Sequence, residues 1–556
     1  MNKAKNMVLA LILLLSGVIH SGPVQKESLL SRAQLIEDTR QLASILESAH
    51  PDPYIGGGGK IAFHRRLQRT MMAIPNEGMT KIEFYKLLLP FVAVLRDGHT
   101  TLSLESATGE SKLFLPLGLE IVEDRIYVAR VYLEVHKPLL GSTITCVEGV
   151  PFAIIVERQK RLAGYENLYA NLNNLRNNLY TLSGLQSLCP EWAGISNIKI
   201  EFRNNAGETK EYLVDLVEKL PEKRIETPSQ VQLPLKEKLD PNYGFLDAKK
   251  KTALLCIDNM VSYREALEAF KYTGYVPAEN WGKFFYKRFN LTEPPVNYDD
   301  VIAGIPALTD TLTAMAKEMK QAGTETLIVD LRRNSGGHSI MCDILLYFLY
   351  GVDVYRSVSG QMAIEKLSDI MFASNTKRSL EKINEGLSVP LIKNDYIFDE
   401  GLLRGESEAN KKKITREERV SYYQSWAPTF AAEVATNKFE AYYRPKNIIV
   451  VTSPRTFSGG YWLAVYFYKA GATIVGVPSG QAGNHYGNVL SLKLKNSGIQ
   501  VVVSSKQFLF FPDNPEKGEV LRPHYEMTYD RLASYAFDPN AEILWALELF
   551  SKQNSR

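Results

Sequence analysis

Hydrophobic positions along this chain of 556 residues follow two periods, one helical and one extended. In the N-terminal part, apolar residues recur at helical spacing over 35–46, and a second apolar helical run covers 84–95. Pro51 breaks the pattern between the two runs. The spacing therefore predicts a helical N-terminal domain over residues 28–96.

From Phe114 onward the apolar period changes to two, which is typical of half-buried strands. A β-hairpin is predicted from residues 198–202 and 211–215, which flank a turn rich in asparagine and glycine. A polar helical stretch over 165–185 comes before this hairpin. These patterns predict a second, β-rich domain over residues 113–218 with a helical insertion.

Strand and helix patterns alternate in the region 240–556, which we interpret as the core domain of the chain. The predicted strands are 254–257, 327–329, 448–451 and 473–477. Predicted helices over 307–321 and 458–470 are followed by Gly323 and Gly471, which suit helix C-caps. This alternation is typical of an α/β fold with a mainly parallel sheet covered on both faces.

Two insertions interrupt the core region. Residues 262–300 are rich in aromatic side chains, and residues 352–440 form a long polar stretch. Long connections beside a functional site often act as lids or substrate walls. A packed subdomain with no direct role is the alternative, and the sequence favours neither.

Composition excludes several classes of function. The chain has 45% hydrophobic and 23% charged residues, and its net charge of +3 gives no reason to expect nucleic acid as a partner. Its four cysteines are widely spaced, and its eight histidines show no metal-ligand spacing. We expect no metal and no cofactor, and the oligomeric state is not indicated.

The first residues resemble a secretory signal peptide. Lys3 and Lys5 precede an apolar run over 7–19, and small residues follow it. We therefore predict a signal peptide over residues 1–21, an exported location in the periplasm or outside the cell, and no stable membrane insertion after cleavage. An uncleaved anchor is the alternative, although the run is short for a membrane span.

Ser458 follows a predicted strand and begins a predicted helix. A helix N-terminus offers positive partial charge and free backbone N–H groups, which suit a serine that attacks a carbonyl group. An ordinary N-cap serine is the alternative interpretation.

Gly336 and Gly337 follow another strand and allow a close backbone approach to a ligand. His99 is a candidate base, with His338 and His485 as replacements that are otherwise structural.

Taken together, these motifs resemble the tail-specific, or C-terminal-processing, serine peptidases, in the branch of the tricorn core and the interphotoreceptor retinoid-binding protein modules. The matching segments are Asp97-Gly-His-Thr100, Asp330-Leu-Arg-Arg-Asn-Ser-Gly-Gly337 and Thr452-Ser-Pro-Arg-Thr-Phe-Ser-Gly-Gly460. Their order along the chain matches the family, and the resemblance extends from about residue 35 to the C-terminus.

Two departures from the family pattern matter. The Ala-Glu pair that usually follows the nucleophile is replaced by Gly459 and Gly460, although glycine keeps the backbone N–H group that the oxyanion needs. The segment 476–483 lacks the lysine base of the bacterial processing branch. The resemblance therefore favours the histidine-dependent branch.

The resemblance implies a crotonase/Clp-protease-like β-β-α core and a PDZ-like domain. It also implies a serine-type endopeptidase that takes polypeptide substrates, with Ser458 as nucleophile and His99 as base. The acidic member of the set is expected near the C-terminus, at Glu519 in preference to Glu516. Backbone N–H groups of Gly336, Gly337 and Gly459 would form the oxyanion hole.

In a PDZ-like domain, an apolar loop captures the C-terminal carboxylate of a peptide. The candidate loop is Leu117, Gly118 and Leu119, and an ordinary strand start is the alternative for this segment. Two other functions stay open on the same scaffold: a non-catalytic protein that binds a ligand or peptide, and an esterase that shares the nucleophile.

Overall fold

The computed structural model describes most of the chain. The described residues are 29–104, 113–235, 241–274, 277–358, 362–374, 378–398, 415–436 and 442–551. The predicted signal peptide over residues 1–21 lies outside them. Within the described ranges, no helix combines the length and the apolarity that a membrane crossing requires. All four cysteines of the chain are free thiols.

A central sheet of six strands forms the core of the C-terminal half. Its order is Tyr525–Glu526, Thr473–Gly476, Asn447–Thr452, Thr326–Asp330, Thr252–Cys256 and Asn242–Phe245. All neighbouring pairs are parallel except the last. All four predicted core strands are therefore present. Because parallel strands end at one edge, the loops that follow Asp330 and Thr452 emerge side by side.

Helices cover both faces of the central sheet. The helices Leu308–Ala322, Ile340–Val358 and Gly459–Lys469 pack on one face, and Ala541–Ser551 packs on the other. All five residues of the strand Thr326–Asp330 are buried, which explains its continuous apolar run. Gly323 ends the first helix in the left-handed conformation, as expected for a C-cap.

A second sheet joins the N-terminal helices to the C-terminal part of the chain. Its strands are Thr101–Ser103, Gln500–Leu509, Met362–Lys366 and Tyr396–Ile397, with Asn484–Lys493 paired to Gln500–Leu509. The helices Arg32–Ala49, Gly59–Met72 and Lys81–Ala93 confirm the helical pattern. Their apolar faces share one core with Val501 and Val503 of this sheet. The helical segment thus positions the loop that carries His99.

A third sheet occupies the β-rich region. Its main strands, in order, are Leu117–Val122, Arg125–Val131, Thr143–Val147, Asn197–Arg203 and Thr209–Asp215. The short strands Val150–Pro151 and Ile225–Glu226 pair with it. The helices Phe152–Gln159, Leu168–Leu179 and Leu182–Leu188 accompany the sheet. The predicted hairpin and the predicted helical insertion are both present.

The two insertions contain regular structure. The aromatic insertion consists of the helices Arg264–Thr273, Pro277–Asn290 and Tyr298–Ala303, with its own apolar cluster. The described part of the polar insertion contributes two strands to the second sheet, Met362–Lys366 and Tyr396–Ile397. It also contains the helices Asp369–Ser374, Leu380–Asn384, Arg416–Gln424 and Pro428–Thr436. Thr429 donates a hydrogen bond to Glu268, so the two insertions touch. Short helices Pro515–Glu519 and Tyr529–Ser534 lie near the C-terminus.

Candidate active site

Ser458 has a backbone conformation that is rare for a residue with a side chain. Its φ is 52° and its ψ is −126°, at the junction of the strand Asn447–Thr452 and the helix Gly459–Lys469. Such a conformation costs on the order of 1–3 kcal/mol and persists only where the surroundings enforce it. The Ser458 side chain does not cap the helix. Ser458 therefore occupies the N-cap position without a side-chain capping hydrogen bond, which leaves its hydroxyl available for chemistry.

Hydrogen bonds to the neighbouring loop hold the turn before Ser458. Ser453 Oγ donates to the carbonyl oxygen of Arg332 at 2.6 Å, and Thr456 Oγ1 donates to that of Leu331 at 2.9 Å. The N–H of Phe457 donates to the carbonyl oxygen of Asn334 at 3.0 Å. The loop after the strand Thr326–Asp330 thus fixes the position of the serine.

The paired glycines lie against Ser458. Gly336 has φ 103°, and a methyl group on it would lie 2.6 Å from Cβ of Ser458. Its N–H donates to Asn334 Oδ1 at 2.9 Å, so it is not available to an oxyanion in this conformation. Among the described residues, no acceptor is recorded for the N–H of Gly337 or of Gly459. The N–H groups of Gly337 and Gly459 are therefore the candidate oxyanion donors. Gly336 instead makes room for the Ser458 side chain.

The structure also explains the glycine pair after the nucleophile. A methyl group on Gly460 would lie 2.5 Å from Asn334 Oδ1 and 2.8 Å from the carbonyl oxygen of Asn334. A methyl group on Gly459 would meet Met260 Sδ at 3.0 Å and the carbonyl oxygen of Gly337 at 3.1 Å, both longer than the contacts at Gly460. The close approach of the Asn334 loop therefore requires glycine at position 460 more strictly than at position 459.

Asp97 anchors the loop that presents His99. Its Oδ1 accepts the N–H of His99 at 2.8 Å, and its Oδ2 accepts the hydroxyl of Thr100. Nε2 of His50 lies 3.3 Å from the same Oδ2, and both side chains are fully buried. Burial disfavours the charged form, but His50, His99 and Thr100 outweigh it and hold the pKa of Asp97 well below its ordinary value. The carboxylate thus fixes the loop.

Glu166 is the acidic partner that the structure gives to His99. Its Oε1 lies 3.7 Å from His99 Nδ1, and neither atom makes a hydrogen bond. Its Oε2 accepts the N–H of Ala482 at 2.8 Å and the side-chain amide of Gln481. Gln481 Oε1 in turn accepts the N–H of Ser458 at 2.9 Å. One buried polar chain thus links the base to the nucleophile turn.

Opposing effects set the protonation of this pair. Burial acts to lower the pKa of His99, but Glu166 and, less strongly, Asp97 outweigh it and raise the pKa above its ordinary value. Burial raises the pKa of Glu166, against the opposing effect of His99. The imidazolium form that a general base reaches during catalysis is therefore stabilised by a nearby carboxylate.

The preference for Glu519 does not fit the structure. Glu519 and Glu516 belong to the helix Pro515–Glu519, and both side chains are exposed. Glu519 approaches the site only through its backbone carbonyl oxygen, which accepts a hydrogen bond from Asn167 at 3.4 Å. Glu166 occupies the place expected for the acid. No motif surrounds it in the sequence, so only its burial beside His99 identifies it.

The two replacement histidines are committed to other contacts. His485 Nε2 accepts the indole N–H of Trp462 at 3.0 Å, and its Nδ1 lies 3.0 Å from the carbonyl oxygen of Ala482. Burial lowers the pKa of His485 to about 3 and that of His338 to about 4. His338 Nδ1 accepts a backbone N–H at 3.2 Å. Of the three candidate bases, His99 alone has a raised pKa.

The His99 ring contacts the nucleophile turn at the Phe457 side chain. The ring centroids of His99 and Phe457 are 4.8 Å apart, and the His99 side chain is 14% exposed. Among the described residues, no hydrogen bond is recorded between His99 and the Ser458 hydroxyl. Catalytic hydrogen bonds in ligand-free enzymes are often long and tighten only when substrate binds.

Potential metal ligands occur together only at Asp97, His99 and Glu166 among the described residues, where one ligand atom of each lies within 4.8 Å of the others. Both oxygens of Asp97 already face donors from His50, Thr100 and the His99 backbone. Glu166 Oε2 is likewise occupied. The cluster therefore fits a hydrogen-bonded acid–base system better than a metal site.

The predicted carboxylate-binding loop is part of a strand. Leu117, Gly118 and Leu119 begin the strand Leu117–Val122 and pair with Arg125–Val131 through a bulge. A methyl group on Gly118 would collide with Cγ of Arg130. The alternative interpretation, an ordinary strand start, is the one observed, and the glycine makes room for an arginine side chain.

Comparisons with known proteins cover part of this site. The family model of peptidase family S41 matches residues 296–510, which include Ser458 and the paired glycines but not His99. The structure of mature CPAF complexed with lactacystin has a TM-score of 0.56 at 14% identity, over 93% of this chain and 98% of that chain. It therefore shares the mixed α/β fold. No curated protein sequence gives a significant match.

Two other solved structures are less similar. The photosystem II D1 C-terminal processing protease has a TM-score of 0.35 at 12% identity, over 90% of this chain and 93% of that chain. The tricorn protease has a TM-score of 0.34 at 11% identity, over 94% of this chain and 37% of that chain. Residues 296–510, which contain the nucleophile turn, match peptidase family S41.

Proposed function

We propose that this chain hydrolyses peptide bonds through an acyl-enzyme formed on Ser458. The observation that carries the proposal is the strained, non-capping Ser458 at a helix N-terminus, pressed against the paired-glycine loop. This geometry resembles a nucleophile elbow, in which a sharp strand-to-helix turn exposes the serine hydroxyl. The match of residues 296–510 to peptidase family S41 supports a polypeptide as substrate.

In the proposed mechanism, His99 removes the proton from the Ser458 hydroxyl as it attacks the carbonyl carbon. Glu166 orients the imidazole and stabilises its charged form. The N–H groups of Gly459 and Gly337 receive the oxyanion, each lowering the barrier by about 3 kcal/mol. His99 then protonates the leaving amine, and water releases the acyl group. Substrate binding would bring His99 Nε2 to the hydroxyl.

We further propose that the central sheet belongs to a crotonase/Clp-protease-like core and that the third sheet is a PDZ-like module. An edge strand of the third sheet supports the second assignment. The strand Leu117–Val122 is at one end of the sheet, and no strand pairs with its outer edge among the described residues. An extended peptide can add to such an edge through backbone hydrogen bonds. This module would present polypeptide substrates to the site.

A fluorophosphonate probe tests the nucleophile. We expect wild-type protein to be labelled, Ser458→Ala to be unlabelled, and the matched variant Ser335→Ala, at an exposed serine of the glycine loop, to be labelled like wild type. Wild type and Ser335→Ala should also hydrolyse peptides, whereas Ser458→Ala should not. Equal labelling of Ser458→Ala and wild type would refute the assignment. A folded wild type without labelling or hydrolysis would favour a binding protein instead.

A further inference from the structure

One carboxylate beside the nucleophile turn is shared by several arginines. Glu120 lies on the edge strand Leu117–Val122. Its Oε1 accepts a hydrogen bond from Arg130 at 3.1 Å, and its Oε2 accepts one from Arg176 at 2.9 Å. Both oxygens of Glu120 are therefore occupied by guanidinium groups from the third sheet and its helix.

Arg455 is the third arginine of this group, and it has no carboxylate of its own. Its nearest acidic contact is Glu120 Oε1, at 4.0 Å. No hydrogen bond of the Arg455 guanidinium is recorded within the described residues, and its side chain is 20% exposed. Arg333, which is also nearby, is already paired with Asp258 at 2.9 Å. Positive charge thus exceeds negative charge around Arg455.

The local electrostatics agree with this imbalance. Burial, together with Arg176 and Arg333, lowers the pKa of Arg455 to about 10, against the opposing effect of Glu120. Guanidinium groups ordinarily stay protonated well above this range. A partly buried cation in such surroundings is stabilised by an added anion, because charge interactions are stronger where water is scarce.

The position of Arg455 connects this charge to the proposed chemistry. Arg455 belongs to the nucleophile turn, three positions before Ser458. Its N–H donates to Ser453 Oγ at 3.1 Å, and the same Oγ donates to the loop of the paired glycines. Two hydrogen bonds therefore hold the turn against the glycine loop. Through Glu120 the guanidinium also lies beside the edge strand, where an added peptide strand would run.

We propose that Arg455, assisted by Arg176 and Arg130, forms a subsite that binds a carboxylate of the polypeptide substrate. This inference rests on the proposed function. It adds that the positive charge of these arginines selects substrates with a carboxylate. Arginine suits the role because its planar donors form paired hydrogen bonds with a carboxylate. The carboxylate has two sources in a polypeptide, the chain terminus and the side chains of aspartate and glutamate.

The test compares matched peptides on one protein preparation. One pair differs only in a free or amidated C-terminus, and the other differs only in glutamate or glutamine near the cleaved bond. We expect wild-type kcat/KM to be at least tenfold higher for the carboxylate member of one pair, and that pair identifies the source. In Arg455→Gln the ratio should fall towards one. The ratio is insensitive to partial loss of folded protein, since both members share the preparation.

Arg522→Gln is the matched control, because Arg522 is exposed and pairs with Glu526 at 2.9 Å away from this subsite. It should keep the wild-type ratio. Binding of the same peptides, fluorescently labelled, to Ser458→Ala is measured in parallel. Carboxylate-dependent binding without wild-type hydrolysis would support the subsite and refute the proposed function. Hydrolysis with a ratio of one for both pairs, or an unchanged ratio in Arg455→Gln, would overturn the subsite alone.

Discussion

Replacement of Glu166 by glutamine tests the acid–base pair most directly. Glu166 Oε2 faces two donors, the N–H of Ala482 and the amide of Gln481. In Glu166→Gln the amide oxygen should keep these contacts, which turns the new NH2 group towards His99 Nδ1. A donor at Nδ1 selects the imidazole tautomer with its proton on Nε2. That tautomer cannot accept the serine proton through Nε2.

The size of the effect follows from the distance. A unit charge 3.7 Å from His99 Nδ1 contributes about 4 kcal/mol at an effective dielectric constant of about 20, which corresponds to about a thousandfold in rate. In serine triads a neutral amide in place of the acid costs about 10⁴-fold, through the wrong tautomer. We therefore expect kcat/KM of Glu166→Gln to fall by about 10³- to 10⁴-fold.

The pH dependence of the activity is an independent test of the role of Glu166. The base must be neutral, so activity rises as pH passes upward through the pKa of His99. Glu166 raises that pKa against the effect of burial. Its loss should lower the pKa, and the acid limb of the residual activity should move to lower pH. A purely structural role for Glu166 would reduce the activity without moving this limb.

The assay is a pH profile of kcat/KM on one peptide substrate, with thermal unfolding measured on each variant. Glu519→Gln is the control, because Glu519 is exposed and is the acid that the motif suggested. It should stay within about twofold of wild type, as surface substitutions usually change little. Activity of Glu166→Gln within tenfold of wild type, or a larger loss in Glu519→Gln, would refute the assignment.

Two further predictions concern the loops of the site. Gly460→Ala should lower the free energy of unfolding by about 1–3 kcal/mol, because its methyl group meets the side chain and the backbone of Asn334 at 2.5 and 2.8 Å. Gly459→Ala should cost less, because its methyl group meets Met260 Sδ and the carbonyl oxygen of Gly337 only at 3.0 and 3.1 Å. Equal losses in denaturant unfolding would contradict this. Asp97 has a lowered pKa, so its stabilisation is present above its unfolded pKa of about 3.9 and is lost as pH falls through the folded pKa. Asp97→Asn should therefore be less stable than wild type at pH 7 by about 3 kcal/mol. Below about pH 4 it should lose less stability than wild type does. Urea unfolding at both pH values measures the two differences. An unchanged acid dependence would show that another group controls it.

The sequence by itself determined the elements whose signal is local. Parallel strands covered on both faces need continuous apolar runs, so 327–329 and 448–451 could be identified without coordinates. Gly323 ends its helix as predicted because a left-handed C-cap favours glycine. The turn at Ser458 also follows from a local pattern, a strand, a short connection and an apolar helix.

Tertiary structure alone decided the partners of the buried polar groups. Glu166 reaches His99 from the loop before the helix Leu168–Leu179 in the β-rich region, and hydrophobic periodicity carries no information on such a pairing. The Gly336 N–H donates to the Asn334 side chain, and Gly118 makes room for the Arg130 side chain, which only the folded positions of those side chains reveal. The physical reason is the distance along the chain between the residues that interact. Patterning depends on neighbours along the chain, whereas the pKa and orientation of a buried group depend on charges brought close by folding.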